Sequence, residues 1–152
     1  MAASAPIQIR PVTSGADRDA FVDWPYQFYP ERYPNWVPPL RREEHATLNP
    51  DKNAFFDHGE MQLFLAEDAS GQVCGRIAAI INGMHLQKYG DDTGFFGFFE
   101  TENDPAVANA LLDAAESWMR ARDCIRMRGP TNPSLNDVSG LLVDGFDRRP
   151  SV

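Results

Sequence analysis

Gly94-Phe95-Phe96-Gly97-Phe98-Phe99-Glu100, then the turn Thr101-Glu102-Asn103-Asp104, then the run from Pro105 to Arg122 together constrain the architecture of this chain most tightly. The aromatic run predicts a strand. Gly97 in its middle predicts a bulge, or a close approach by a ligand or by another stretch of backbone. From Pro105 onward apolar residues recur at helical spacing: Val107, Leu111, Ala114 and Trp118 form one row, and Ala108, Leu112, Ala115 and Met119 form the row beside it. Asp104 supplies the N-cap, and Pro105 takes the first helical position, where no N–H is needed. Asp113, Glu116 and Arg120 lie opposite, with Glu116 and Arg120 at the favourable i,i+4 spacing. A strand that runs straight into a helix N-terminus leaves backbone N–H groups facing outward, able to hold an anion. The turn itself opposes that use, because Asp104 brings a carboxylate and Pro105 removes a donor.

Outward from this stretch, Cys124-Ile125-Arg126-Met127-Arg128 predicts the next strand. A helix connects it to the aromatic strand, so the two are expected to be parallel. Gly129 to Pro133 is a loop. Ser134 to Leu142 predicts a short helix capped by Ser134 or Asn136 and terminated at Gly145. Arg148 to Val152 predicts the start of a further strand.

In the other direction, Gly83 to Thr93 is a polar loop. Val73 to Asn82 is a strand whose near-continuous apolar run predicts burial on both faces, except at Arg76. It pairs through the turn Asp68-Ala69-Ser70-Gly71-Gln72 with a strand over Met61 to Glu67. Residues 25–60 interleave Pro25, Pro30, Pro34, Pro38, Pro39 and Pro50 with Tyr26, Phe28, Tyr29, Tyr33, Trp36, Phe55 and Phe56. That composition predicts a packed irregular segment with one short helix near Leu40 to Leu48. It is either a binding loop or a cover for a sheet edge. Ser14 to Trp24 predicts a helix capped by Ser14 or Asp17 and ended by Pro25. Ile7 to Val12 alternates and predicts a first strand.

The 152 residues suit one domain with a real core, supplied by ten Phe, four Tyr and three Trp. A net charge of -8 disfavours duplex nucleic acid and anionic membrane as partners and favours a cationic substrate. The two cysteines, Cys74 and Cys124, sit in apolar strand-like runs and are expected to be reduced thiols. No apolar run approaches the ~20 residues of a membrane helix, and Met1 to Pro6 has neither the basic nor the apolar region of a signal peptide; a cytoplasmic location is expected. His45, His58 and His85 lack metal spacing, and Asp57-His58-Gly59-Glu60 is a turn, so no metal is expected.

Strand, helix, aromatic loop, hairpin, strand, long helix, strand and short helix ending in Gly-Phe, in that order, resemble the GNAT (GCN5-related N-acetyltransferase) superfamily. Gly75-Arg76-Ile77-Ala78 after a Gly-containing hairpin, Ala110-Leu111-Leu112-Asp113-Ala114-Ala115-Glu116, and Leu141-Leu142-Val143-Asp144-Gly145-Phe146 carry the resemblance. Trp36-Val37-Pro38-Pro39-Leu40 and Asn53-Ala54-Phe55-Phe56 are similar to a GNAT-like group of longer bacterial proteins. The likeness spans residues 7–148. It implies an α+β fold: a mixed, mostly antiparallel sheet with a parallel pair at its centre and helices on both faces. It implies a single domain over residues 1–152 that lacks its last strands. The open sheet edge would then be covered by a missing C-terminal region of a longer protein, or by a second copy in a homodimer.

The resemblance also implies a co-substrate, acetyl-CoA or another acyl-CoA. Its pantetheine would lie along backbone groups of Phe98, Phe99 and Glu100. Its pyrophosphate would rest at the helix start, on Ala106, Val107, Ala108 and Asn109. The family pattern there is Arg/Gln-x-x-Gly-x-Gly/Ala, whereas this chain has Asn103-Asp104-Pro105-Ala106-Val107-Ala108, of which only Ala108 fits. Leu141 stands where many relatives place a Tyr that protonates the leaving thiolate. Glu100 is the candidate base, or else a partly solvated strand-end carboxylate. Asn132 and Asp137 either position a substrate or water, or serve as cap and turn residues. Two functions follow: an acyl-CoA-dependent N-acetyltransferase acting on a small-molecule or peptide amine, or a catalytically silent GNAT-like module that binds a ligand or a partner protein.

Overall fold

The computed structural model describes residues 6–133 and 138–149. Among the described residues five strands form one sheet in the order β1-β2-β3-β4-β5: β1 (Gln8–Pro11), β2 (Gly59–Glu67), β3 (Val73–Asn82), β4 (Thr93–Thr101) and β5 (Arg126–Arg128). β1 to β4 pair antiparallel, and β4 and β5 pair parallel. The parallel pair therefore lies at one end of the described sheet and not at its centre as expected. The described residues also form four helices, α1 (Gly15–Arg32), α2 (Arg41–Thr47), α3 (Gly83–Tyr89) and α4 (Pro105–Arg120), and a 3-10 turn over Ala54–Asp57.

Strand alternation sorts the core into two layers. Ile77, Ala79 and Ile81 of β3 and Phe64 and Ala66 of β2 face α4, while Ala78, Ile80, Leu63 and Leu65 face Phe21 and Val22 of α1. Helices thus cover both faces. α4 buries Val107, Leu111, Ala115 and Met119, a single i,i+4 line that takes two members from each of the two predicted rows. Each large side chain buried in this way contributes about 1.5–3 kcal/mol. The cap is the predicted one: the Asp104 carboxylate accepts from Ala106 N at 2.8 Å.

α1 departs from expectation. Ser14 caps it, with Asp17 returning the bond to the Ser14 amide. The helix does not stop at Pro25. It runs through Pro25 and Pro30 to Arg32. Proline in a helix interior leaves the carbonyl four residues back without its donor. For Pro25 that carbonyl belongs to Phe21, and the Arg76 guanidinium fills the gap, Nη1 to O at 2.9 Å. Burial of Phe21, Val22, Trp24, Pro25 and Phe28 holds the helix down, and Trp24 Nε1 donates to Val73 O at 2.8 Å. Tertiary contacts here override the local breaker.

Three further segments differ. Residues 83–89 are helical, because Asn82 caps α3 through His85 N and Gly90 ends it in the left-handed region at φ 57°. Residues 138–142 are not helical, and Ser139 bridges to Thr131; Ser134 to Asp137 lie outside the described residues. Gly145, at φ 82°, forms a turn closed by Arg148 N to Gly145 O and does not end a helix. Residues 148–149 form no strand, and residues 150–152 lie outside the described residues. No helix of the described residues is long and apolar enough to cross a membrane.

Candidate functional site

The site is built on a defect in β4. Arg76 pairs with Glu100 and Ala78 with Gly97, so Ile77 alone faces Phe98 and Phe99. This is the bulge that Gly97 predicted. The extra residue, Phe98, takes φ 48°, a conformation that a bulky side chain adopts only under constraint. Gly97 is required for a second reason. A Cβ there would stand 2.3 Å from Thr131 O and 2.9 Å from Asn132 Oδ1. The close approach is made by the chain's own segment after β5.

That segment holds the bulge from one side. Thr131 N donates to Phe96 O at 2.8 Å. The Phe98 N–H, turned out of the ladder by the bulge, donates to Asn132 Oδ1 at 3.0 Å. β5 ends at Arg128 whereas β4 continues to Thr101, so the two strands part at this point. A small cavity lined by Phe55, Ile80, Phe95, Asn132 and Pro133 adjoins it.

From the other side comes a buried charge cluster. Arg76 was expected to break the burial of β3, yet it is 1% exposed. Its Nη2 donates to Glu100 Oε1 at 2.7 Å, and its two Nη atoms reach the Glu44 carboxylate of α2 at 3.4 Å each. The guanidinium carbon lies 5.0 Å from the Phe21 ring centroid and 5.6 Å from that of Phe98. Burial alone would lower the Arg76 pKa; the Glu100 and Glu44 charges outweigh it and raise it. Burial raises the Tyr29 phenol, and the adjacent Glu100 carboxylate raises it further. Tyr29 also stacks on Trp36 at 5.0 Å. Glu100 is a partly solvated carboxylate at the strand end, 25% exposed and ion-paired with Arg76.

No protein-family model matches the chain. Over 144 residues, 93% of its length, it is 40% identical to Protein YghO of Escherichia coli K12; over 150 residues, 98% of its length, it is 43% identical to the bacterial ceramide synthase of Caulobacter vibrioides. The chain spans 36% and 38% of the length of these relatives. Among solved structures it is similar to AAC(6')-Iy in complex with the bisubstrate analog CoA-S-monomethyl-acetylneamine, with a TM-score of 0.57 at 17% identity, covering 87% of this chain and 84% of that one. It is also similar to a GNAT-family acetyltransferase of Staphylococcus aureus Mu50, with a TM-score of 0.52 at 11% identity over 78% of this chain and 69% of that one. The chain has the GNAT-like fold. A putative acetyl transferase of Pyrococcus furiosus shares it, with a TM-score of 0.51 at 16% identity over 92% of this chain and 99% of that one.

The GNAT-like frame allows each expected site residue to be placed. Phe98, Phe99 and Glu100 lie together at the bulge, and Asn132 reaches it from the segment after β5. The α4 N-terminus is less open. Pro105 has no N–H, Ala106 N is given to the Asp104 carboxylate, and Ala108 N is given to Asp104 O at 3.2 Å. The Val107 side chain is core, and Asn109 is exposed. The Phe98 amide at the bulge is held by Asn132, and the α4 N-terminus carries the Asp104 carboxylate where an anion would need a cradle. Leu141 is 57% exposed, and Asp137 lies outside the described residues.

Sequence reasoning missed Arg76, Glu44 and Tyr29 as parts of the site. One signal was available: a lone cation in an apolar strand must find buried acceptors. It also missed the ion pair of His85 Nε2 with Asp91 Oδ1 at 3.0 Å, formed because residues 83–89 are helical. Among the described residues no group of three or more His, Cys, Asp and Glu is placed to hold a metal ion.

Proposed function

We propose that this chain catalyses acyl transfer from an acyl-CoA, with acetyl-CoA the simplest donor, to a small-molecule or peptide amine. The observation that carries the reading is the Phe98 bulge. It turns a backbone N–H out of β4 beside Glu100, on a fold shared with a protein solved in complex with a CoA bisubstrate analog. A further support is the 43% identity to a protein named for making ceramide.

Glu100, directly or through a water, takes a proton from the substrate ammonium. The freed amine nitrogen attacks the thioester carbonyl carbon, and the Phe98 N–H stabilises charge on the carbonyl oxygen once Asn132 releases it. The C–N bond forms, the C–S bond breaks, and the CoA thiolate leaves and takes the second proton given up by the new amide nitrogen, while Glu100 passes the first to solvent. The Glu44–Arg76–Glu100 cluster carries one net negative charge, which suits an incoming cation.

A second reading, a silent GNAT-like module that binds a ligand or a partner protein, is favoured by the Asp104 carboxylate at the α4 N-terminus. Thermal unfolding with added acetyl-CoA separates the two. A ligand at 100 times its dissociation constant stabilises the folded state by about 2.7 kcal/mol. A rising melting temperature followed by amine-dependent release of free thiol supports the enzyme. No shift at millimolar acetyl-CoA removes it.

A further inference from the structure

Arg76 stands in a run of otherwise uncharged residues, Val73–Asn82, and its side chain is 2% exposed. Such burial is a poor way to gain stability: replacing buried ion clusters by apolar groups of similar volume is often neutral or favourable. The partners of Arg76 show what the burial achieves. Its guanidinium grips a carbonyl of α1 that Pro25 leaves free, a carboxylate of α2, and the carboxylate of Glu100 at the end of β4. It also lies against the ring of Phe98. A single cation thus touches both groups that acyl transfer needs at the bulge, the residue that presents the amide and the residue that presents the base. Only Arg supplies this many donors in a fixed plane.

We propose that Arg76 is a positioning residue for the acyl-transfer site, holding the Glu100 carboxylate and the Phe98 bulge in one frame, with Glu44 as the competing carboxylate that moderates its grip on Glu100. The proposal rests on the acyl-transfer reading for its function but not for its geometry. The distances order the competition: 2.7 Å to Glu100 against 3.4 Å to Glu44. The groups facing the Glu100 carboxylate are Arg76 from β3, Glu44 from α2 across the guanidinium, and Tyr29 from α1.

The test compares the carbon-13 shift of the Glu100 carboxyl and the nitrogen-15 shift of the Phe98 amide, at one fixed pH, in the wild type, Glu44→Gln and Arg76→Gln, with kcat and KM for the amine measured on the same proteins. Arg76→Gln moves both resonances and lowers kcat about tenfold or more, the scale of a misplaced reacting group. Glu44→Gln frees the guanidinium for Glu100 alone and moves the Glu100 resonance, with kcat changing more than KM. A Glu100 resonance that stays in place in Glu44→Gln overturns the proposal, even should Arg76→Gln fail to fold. Resonances that move in this way, in a protein whose wild type transfers no acyl group, refute the acyl-transfer reading and leave the coupling of Arg76 to Glu100 standing.

Discussion

Asn132 Oδ1 accepts the Phe98 amide proton at 3.0 Å and so satisfies a donor that the bulge has removed from the β-ladder. In the proposed acyl transfer this contact would stand in for the thioester carbonyl oxygen. Under that reading, Asn132→Ala removes the stand-in. Acetyl-CoA should then bind about fivefold more tightly, the scale of one net hydrogen bond. Free CoA, which has no carbonyl at this position, should bind as it does to the wild type. Calorimetry with both ligands checks this, and an equal gain for the two would reject that role for Asn132.

The α4 N-terminus offers a second measurement. Asp104→Asn keeps a capping oxygen but removes the charge. The expected outcome is a CoA affinity higher by about 1 kcal/mol at low salt, fading as ionic strength rises. A dissociation constant that ignores the substitution would show that the phosphates lie elsewhere.

Core and surface sites should separate cleanly in stability. Leu111 is fully buried against the sheet, so Leu111→Ala should cost about 2–5 kcal/mol in urea unfolding. Glu116 pairs with Arg120 on the exposed face of α4, and Glu116→Ala should cost less than about 0.5 kcal/mol.

Acid should weaken the tie between β1 and the start of α1. Hydrogen bonds from Arg10 first, then from Ser14 and the Thr13 amide, hold the Asp17 carboxyl down at about 2 against an ordinary 3.8. A depressed folded-state value adds stability that is present above 3.8 and lost as pH falls through about 2. The gap in urea midpoint between wild type and Asp17→Asn should therefore be full at pH 6 and closed below pH 2, and a gap that persists there would contradict the assignment.

Thiol chemistry should be silent in the native state. Burial pushes the Cys74 thiol up to about 11 and raises that of Cys124, and both side chains are nearly inaccessible. Ellman's reagent at pH 8 should find almost no reactive thiol until urea is added, and two thereafter. Rapid native labelling of either would show that its element opens readily.

Several elements were legible before any coordinates. The α4 helix follows from Asp104 and Pro105 at its start and from its apolar spacing. The hairpin follows from Asp68 to Gln72, and the bulge from Gly97. Each signal is local, a cap, a turn residue or a period, so neighbouring residues suffice to read it. α3 was also local in origin, since Asn82 and Gly90 bracket it, but its seven polar-rich residues lack the periodicity that marks a longer helix.

Residue chemistry along the chain was enough for the strand–helix–strand frame, from which the resemblance to a GNAT-like fold followed, and for placing Glu100 at the end of its aromatic strand. The folded chain alone decided that α1 continues past Pro25, that Arg76 is buried, and that the Phe98 amide is held by Asn132. The reason is separation: Arg76 meets Phe21 across 55 positions, Glu44 across 32 and Glu100 across 24, and Phe98 meets Asn132 across 34. A proline, a lone arginine and a loop asparagine each have ordinary local meanings, and only contacts made at such distances replace those meanings with others.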